Sequence, residues 1–222
     1  MQKSITELKN KHAGCDIWVL ASGASMNFID NSFFENKITI AINRTGNYFD
    51  CTYTVTKDFG GLELLKKSPY KSQIIMSKHS CGNPRSCLNK LDMEHYIFEH
   101  KENPHTPTQT QLDDEISKSH DRLIVSHSTT TSALHCAAYM GAKNIIICGH
   151  DGGSIDGKLT IDGYYKDIQP HQDNEAGYLK WVGATESHSI VVCKKIKEIY
   201  GCNIHSLNPF INLGLCGHIY SK

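Results

Sequence analysis

Short runs of apolar residues recur along the chain, and polar or small residues follow each of them. Continuous runs cover residues 16–21, 37–43, 73–76 and 144–148, residues 51–56 alternate between polar and apolar positions, and a last strand is predicted at 202–207. Continuous apolar runs of this length, rich in β-branched residues, are typical of strands that are covered on both faces of a parallel sheet. The pattern therefore predicts an α/β fold.

The stretch 123–151 carries the clearest succession of elements. An apolar segment at 123–125 is followed by a hydroxyl-rich turn, a helix and the apolar run 144–148. Leu134, Ala137, Ala138 and Gly141 recur at the spacing of one helical face, and Gly141 stands where a helix-ending glycine belongs. Ser128 or Thr129 is expected to cap the helix start. Strand, helix and strand within this length predict a βαβ unit and hence a parallel sheet.

The whole chain, 1–222, is predicted to form a single Rossmann-like domain, with a mostly parallel sheet, helices on both faces and an irregular insertion. Residues 79–120 are polar, contain three of the prolines and show no sustained periodicity, so we expect a lid or insertion there. Their Cys and His spacings match none of the paired zinc patterns, and no metal site is predicted. Residues 152–180 are expected to form a second active-site loop region.

The bulk composition excludes some classes of function. Lys plus Arg and Asp plus Glu are equal at 23 each, so no overall field would draw the molecule to nucleic acid. The polar start of the sequence has no signal-peptide pattern, and no run approaches the length of a membrane span. Nine cysteines without such a signal are typical of reduced thiols. We therefore expect a cytoplasmic protein that binds small molecules.

Polar groups follow the predicted strands at their carboxyl ends, where α/β sheets bind ligands. After the first strand come Ser22, Gly23, Ala24 and Ser25. A strand, a small-residue turn and a helix start form an anion site, because unpaired N–H groups and the helix dipole converge there. A tight structural turn would look the same, since the single glycine matches neither common phosphate-loop pattern.

The other strand ends refine this prediction. Asn43 and Arg44 follow the second strand, where a classical NAD site would need an acidic residue. A dehydrogenase is therefore not favoured. Gly149, His150 and Asp151 follow the strand 144–148. We expect all these tips to gather into one phosphate-holding pocket.

Four segments, taken in order, resemble the bacterial sialyltransferases that decorate lipooligosaccharide. They also resemble the related family of unknown function (domain of unknown function 115) that includes motility accessory factors and 6-hydroxymethylpterin diphosphokinases. The segments are 19–30 (VLASGASMNFID), 38–44 (ITIAINR), 127–151 and 181–209. The resemblance covers about half of the chain, and the order of the segments carries it rather than any one motif.

The resemblance implies a domain that binds one nucleotide and transfers a sugar from a CMP-sugar donor to a glycan acceptor without a metal ion. Residues 22–25 stand in the place of the family's nucleotide loop. The other implied binding residues are Asn43 at a strand end, Thr130, Thr131 and Ser132 at a helix start, Gly149 and Asp151 at a second strand end, and Tyr164 and Tyr165 as the pair that holds the donor phosphate.

The sequence departs from the sialyltransferases at two positions. The family's catalytic histidine is matched by the stretch Gly183, Ala184 and Thr185, and His188 lies four residues further on, about one helical turn away. Ser128 stands where the family has an arginine just before the helix start.

Glycosyl transfer needs a base for the acceptor hydroxyl and donors for the departing phosphate. We rank His188 first as base because of its place in the chain, and His150 second because it follows a strand. Asp151 is a third candidate, with the capping of a turn as its alternative role. His127 and His171 are further candidates, and Arg44 or Lys57 would be charge partners of the phosphate.

Two alternatives stay open. The first is a 6-hydroxymethylpterin-type diphosphokinase or other ATP-using transferase, which would need Mg²⁺ held by carboxylates such as Asp151, Asp156 or Asp58. The second is a non-catalytic nucleotide-binding protein that kept the pocket and lost the base. Assembly into a homo-oligomer is left open in each case.

Overall fold

The computed structural model describes residues 1–57, 59–78, 93–100, 109–165 and 175–207. Its strands are β1 (Gln2–Ser4), β2 (Asp16–Leu20), β3 (Ile38–Ile42), β4 (Tyr53–Thr56), β5 (Gln73–Ser77), β6 (His95–Phe98), β7 (Asn144–Cys148) and β8 (Asn203–Leu207). Its helices are α1 (Phe59–Lys67), α2 (Gln109–Glu115), α3 (Thr129–Tyr139) and α4 (Glu175–Tyr200). Short 3₁₀ turns cover Ile5–Leu8, Ala24–Phe28, Asn31–Phe34 and Asn43–Asn47.

The strands form one sheet in the order β1-β6-β5-β4-β3-β2-β7-β8, and every described pairing is parallel. The predicted Rossmann-like α/β class is confirmed. From β2 the chain builds the sheet outward through β3, β4, β5 and β6, and then returns to add β7 and β8 on the other side of β2. The strand order therefore reverses beside β2, and in open α/β sheets ligands bind outside the strand ends at such a point.

Apolar side chains on both faces of the sheet are buried, which explains the continuous apolar runs. On one face, alternate residues of the strands pack with α2, α3 and α4 in a single large cluster. On the other face, α1 and the 3₁₀ turns cover two smaller clusters. Every residue of α3 is buried, so this helix is enclosed rather than amphipathic. Gly141 follows it with a φ of +87°, as the sequence predicts.

The predicted strand at 123–125 is wrong. The segment is buried, yet it joins no ladder, because side chains of α3 take its backbone groups instead. The Ile124 N–H donates to His135 Nδ1 at 2.9 Å, and the Ser132 hydroxyl donates to the Ile124 carbonyl at 2.8 Å. The expected βαβ unit is thus absent, and β7 pairs with β2 and β8.

The segment 79–120 contains more regular structure than its pattern indicates. β6 lies within it and is an inner strand of the sheet, between β1 and β5, and α2 follows. The prediction of irregular structure is therefore wrong at β6 and α2. Residues 79–92 and 101–108 lie outside the described residues, so the lid stays a prediction. None of the helices in the described ranges is long and apolar enough to cross a membrane.

Candidate functional site

The polar tips of the three central strands meet at one edge of the sheet. β2 pairs with β3 on one side, with Leu20 opposite Ala41, and with β7 on the other, with Leu20 opposite Cys148. The residues that follow these strands therefore lie side by side. The sequence prediction that they gather at one place agrees with this geometry.

Asp151 connects the β2 tip to the β7 tip. Its carboxylate is 3% exposed and accepts the Ser25 N–H at 2.7 Å, and the Ser25 hydroxyl donates to the other oxygen. Burial raises the pKa of Asp151, and the two bonds from Ser25 oppose that rise. Because both oxygens are engaged, the placement favours a positioning role for Asp151 over a role as base or metal ligand.

Two glycines allow the same tips to approach closely. The Gly23 N–H donates to the Gly149 carbonyl at 2.7 Å, and a Cβ on Gly23 would lie 2.4 Å from that carbonyl oxygen and from Asp151 Oδ2. Gly149 has a φ of +69° and packs against Met26. The crevice between β2 and β7 is consequently filled by protein, and Gly149 contacts Met26 rather than an open pocket.

A cavity lies on the β3 side of these tips. Tyr164 is buried there and its ring stacks on Tyr48, with centroids 6.0 Å apart. Burial raises the pKa of Tyr164 to about 12, although the nearby Ser22 and Thr45 hydroxyls and the Arg44 charge lower it. Burial also raises the pKa of Tyr165, whose ring meets that of Tyr164 edge to face. Both hydroxyls are therefore protonated near neutral pH and can donate hydrogen bonds.

A cavity of about 290 Å³ adjoins this cluster. Arg44 lines it and is 6% exposed. Tyr48 and Tyr164 line it as well, and Gly163 lies at its side. The predicted residues Arg44 and Tyr164 are thus brought together, which sequence spacing alone does not indicate.

The start of α3 forms the second part of the site. Asn43 has a left-handed φ of +52° and donates from Nδ2 to the Thr129 hydroxyl at 3.3 Å. Asn43 Oδ1 and the Ser128 hydroxyl are buried with no hydrogen-bond partner among the described residues. Because the first N–H groups of a helix also have no partner inside the helix, this corner can bind a polar or anionic ligand.

A pair of histidines lies beside that corner. His188 on α4 is 8% exposed, and its Nδ1 lies 2.7 Å from the Ser126 hydroxyl. The ring of His127 stacks on the ring of His188, with centroids 5.1 Å apart. His127 has a left-handed φ of +59°, a conformation that costs energy outside glycine. The highest-ranked base of the sequence prediction is therefore held against the turn before α3.

Other predicted residues have their polar groups turned inward. The Thr131 hydroxyl donates to the Ser126 and Ser128 carbonyls, and the Ser132 hydroxyl donates to Ile124. Both shape the turn before α3 rather than face a ligand. Thr130 and Ala24 are buried next to these turns. Burial lowers the pKa of His150 to about 4, so this histidine is neutral at physiological pH.

Sequence reasoning did not single out Ser126, Thr45 or Tyr48. Ser126 precedes the histidine of the turn, and Thr45 and Tyr48 follow the β3 tip. Sequence reasoning selected only the polar residues that directly follow each strand. Asp58 and His171 lie outside the described residues. Among those that are described, no group of three or more His, Cys, Asp or Glu side chains is arranged to hold a metal ion.

No family model matches the sequence, and no curated protein matches it. Solved structures do resemble it. The sialyltransferase CST-II, in complex with trisaccharide acceptor and CMP, is 16% identical over 93% of this chain and 88% of its own, with a TM-score of 0.46. The alpha-2,3-sialyltransferase Cst-I from Campylobacter jejuni is 13% identical over 94% and 82%, with a TM-score of 0.49.

Proposed function

We propose that this protein is a glycosyltransferase that uses a nucleotide-sugar donor, with a CMP-sugar as the preferred donor and a sugar hydroxyl as acceptor. The observation that carries the proposal is the corner at the start of α3. Two buried polar atoms at this helix start, Asn43 Oδ1 and Ser128 Oγ, have no described partner, and Ser126 and His127 of the preceding turn contact His188. A polar ligand would satisfy these atoms, and a base stands beside it.

The donor phosphate would lie between the β2 tip and the start of α3. Hydrogen-bond donors are available there from the hydroxyls of Ser22, Tyr164 and Tyr165 and from the N–H groups that open α3. Neutral tyrosine hydroxyls stabilise the negative charge that develops on the departing phosphate. The small-residue turn belongs to one of the segments by which the sequence resembles CMP-sugar enzymes, and that resemblance implies the tyrosine pair as the holder of the donor phosphate.

His188 would act as the base. When its Nδ1–H donates to Ser126, Nε2 is the basic nitrogen and can take the proton of the acceptor hydroxyl. The acceptor oxygen then bonds to the anomeric carbon of the sugar, and the bond from that carbon to the phosphate oxygen breaks. CMP leaves with the bonding electrons.

The test combines ligand binding with turnover. We expect CMP and CMP-sialic acid to raise the unfolding midpoint without Mg²⁺, more than UDP, GDP or ATP do, and CMP release to depend on an added lactoside. His188→Asn should abolish release and keep CMP binding. His205→Asn, at an exposed position of β8, is the matched control and should leave both unchanged.

Other outcomes would replace the proposal. Stabilisation by ATP alone, and only with Mg²⁺, would favour the diphosphokinase. Binding of nucleotide with no release for any donor would favour a non-catalytic binding protein.

A further inference from the structure

Arg44 is a buried cation without a counterion in the described structure. It begins the 3₁₀ turn after β3, and its side chain is almost fully enclosed. Among the described residues it forms no ion pair and no side-chain hydrogen bond. By contrast, Arg122 faces the buried carboxylate of Glu115, with Nε and Oε1 3.4 Å apart.

An enclosed guanidinium of this kind is costly. Arginine does not lose its proton in proteins, so burial cannot be relieved by neutralisation. A buried charge normally needs an oppositely charged partner that also satisfies its hydrogen bonds. Tyr164 and Tyr165 lie near Arg44, but their raised pKa values keep them uncharged and they cannot balance it.

The cavity beside Arg44 has the chemistry of an anion site. Its described lining contains a second cation, Lys67, together with Ser68 and Asn47, and no acidic residue. Asn47 Oδ1 is buried without a partner among the described residues. The volume of about 290 Å³ is enough for a phosphate or carboxylate with its hydration.

We propose that Arg44 forms a second anion subsite, which binds an oxyanion group of the ligand in the cavity between Tyr164 and the end of α1. The identity of the rest of the ligand, a nucleotide-sugar, rests on the proposed function. The occupant of the subsite is a planar or tetrahedral oxyanion that a guanidinium holds with two parallel bonds, either a carboxylate on the sugar or a second phosphate.

The test compares Arg44→Gln with Arg122→Gln. Without ligand and at low salt, Arg44→Gln should unfold at the same temperature as the wild type or higher, because a buried unpaired charge is removed. Arg122→Gln should unfold at a lower temperature, because the buried Glu115 carboxylate loses its ion pair with Arg122. Inorganic phosphate should raise the midpoints of the wild type and of Arg122→Gln by similar amounts, and raise that of Arg44→Gln by clearly less, because only the site at the strand tips remains in that variant.

Ligand affinities then separate the sources of the anion. CMP, which has no second anionic group, should bind the wild type and Arg44→Gln equally. Weakening by about tenfold or more in Arg44→Gln is expected for CDP if the group is a phosphate, and for CMP-sialic acid if it is a carboxylate. Arg44→Lys keeps the positive charge but cannot form two parallel hydrogen bonds, so it should give an intermediate loss of ligand affinity.

Failure of this inference is distinct from failure of the proposed function. If CMP binds and every affinity is unchanged in Arg44→Gln, the subsite is wrong and the nucleotide proposal stands. If no nucleotide binds while phosphate stabilisation still needs Arg44, the proposed function is wrong and the subsite stands. A clear drop in midpoint for ligand-free Arg44→Gln would also contradict the subsite, because it would show a structural partner for Arg44.

Discussion

The Asp151 carboxylate accepts the backbone N–H of Ser25 at 2.7 Å, although 126 positions of sequence separate the two residues. The bond crosses from the β7 tip to the β2 tip and is fully buried. It holds the 3₁₀ turn Ala24–Phe28 in place, since Gly23, the residue before that turn, makes no side-chain cap. The geometry of the turn that we propose to bind phosphate therefore depends on a residue 126 positions further along the chain.

Replacing Asp151 by alanine should weaken both the fold and the site. The variant leaves two buried donors of Ser25 without an acceptor, and each such loss costs roughly 1–3 kcal/mol. We expect a loss of about 3 kcal/mol in the free energy of unfolding, measured by urea denaturation, together with weaker CMP binding. Asp162→Ala, which removes an exposed ion pair with Lys158, should cost less than about 1 kcal/mol. Equal effects of the two variants would contradict the assigned role.

A methyl group at Gly23 should disrupt the meeting of the tips. Its carbon would lie 2.4 Å from the Gly149 carbonyl oxygen, so the backbone must shift. We expect Gly23→Ala to destabilise the protein by about 1–3 kcal/mol, as overpacking does elsewhere, and to reduce nucleotide affinity.

Gly183 in α4 offers the matched control for that variant. A Cβ there meets no atom within 4 Å. Alanine also favours a helix over glycine by roughly 1 kcal/mol, so Gly183→Ala should raise the unfolding midpoint. A stable Gly23→Ala protein with full affinity would show that the close approach is not required.

Ser126 should act on turnover through His188. Without its hydroxyl, His188 Nδ1 loses a partner at 2.7 Å and its tautomer is no longer fixed. We expect Ser126→Ala to lower kcat by roughly tenfold to a hundredfold, less than the loss of the base itself, with KM almost unchanged. The pH at which kcat is half-maximal should also move. An unchanged pH profile with a lowered midpoint of unfolding would indicate a purely structural role.

His135 should make the fold sensitive to acid. It is enclosed in α3, its Nδ1 accepts the Ile124 N–H, and its Nε2 lies 3.0 Å from the Tyr200 hydroxyl. Burial lowers its pKa from 6.5 to about 3, so the folded state holds the neutral form. Its contribution to stability is complete above pH 6.5 and is lost as the pH falls toward 3.

Urea denaturation at several pH values tests this contribution. Each pH unit below 6.5 should cost up to about 1.4 kcal/mol for this one group, and His150, whose pKa is lowered to about 4, adds in the same direction. In His135→Asn the amide oxygen can still accept the Ile124 N–H, so the fold is kept. Because the titrating imidazole is gone, the slope of the unfolding free energy against pH should decrease by the equivalent of up to one proton. The exposed His205→Asn should keep the wild-type slope. A slope that His135→Asn leaves unchanged would contradict the assignment.

The sequence pattern predicts most of the sheet because β2, β3, β5 and β7 carry buried apolar residues on both faces. It failed at 123–125, which is equally apolar. There the side chains of Ser132 and His135, two residues of α3, form hydrogen bonds with the Ile124 backbone. Hydrophobic periodicity cannot predict such hydrogen bonds. It also failed at β6, where His95 and Tyr96 sit in a polar, proline-rich neighbourhood although both are buried.

The candidate site was predictable as a set of strand ends and no further. That rule placed Ser25, Asn43 and Asp151 at one edge of the sheet. It could not show that both carboxylate oxygens of Asp151 accept hydrogen bonds from Ser25. It also could not show that Arg44 is buried without a carboxylate partner among the described residues. Both facts depend on contacts between side chains that are distant in sequence. Tertiary packing decides such contacts, and the local sequence pattern does not reveal them.

The position of β2 in the middle of the sheet has a consequence for synthesis in the cell. This strand leaves the ribosome well before one of its neighbours, β7, which lies more than 120 residues further along the chain. A nascent chain that stops before β7 lacks Asp151 and has an open edge along β2. Nucleotide capture should therefore be undetectable on stalled ribosomes until translation has passed that point, and binding would report that β7 has joined β2.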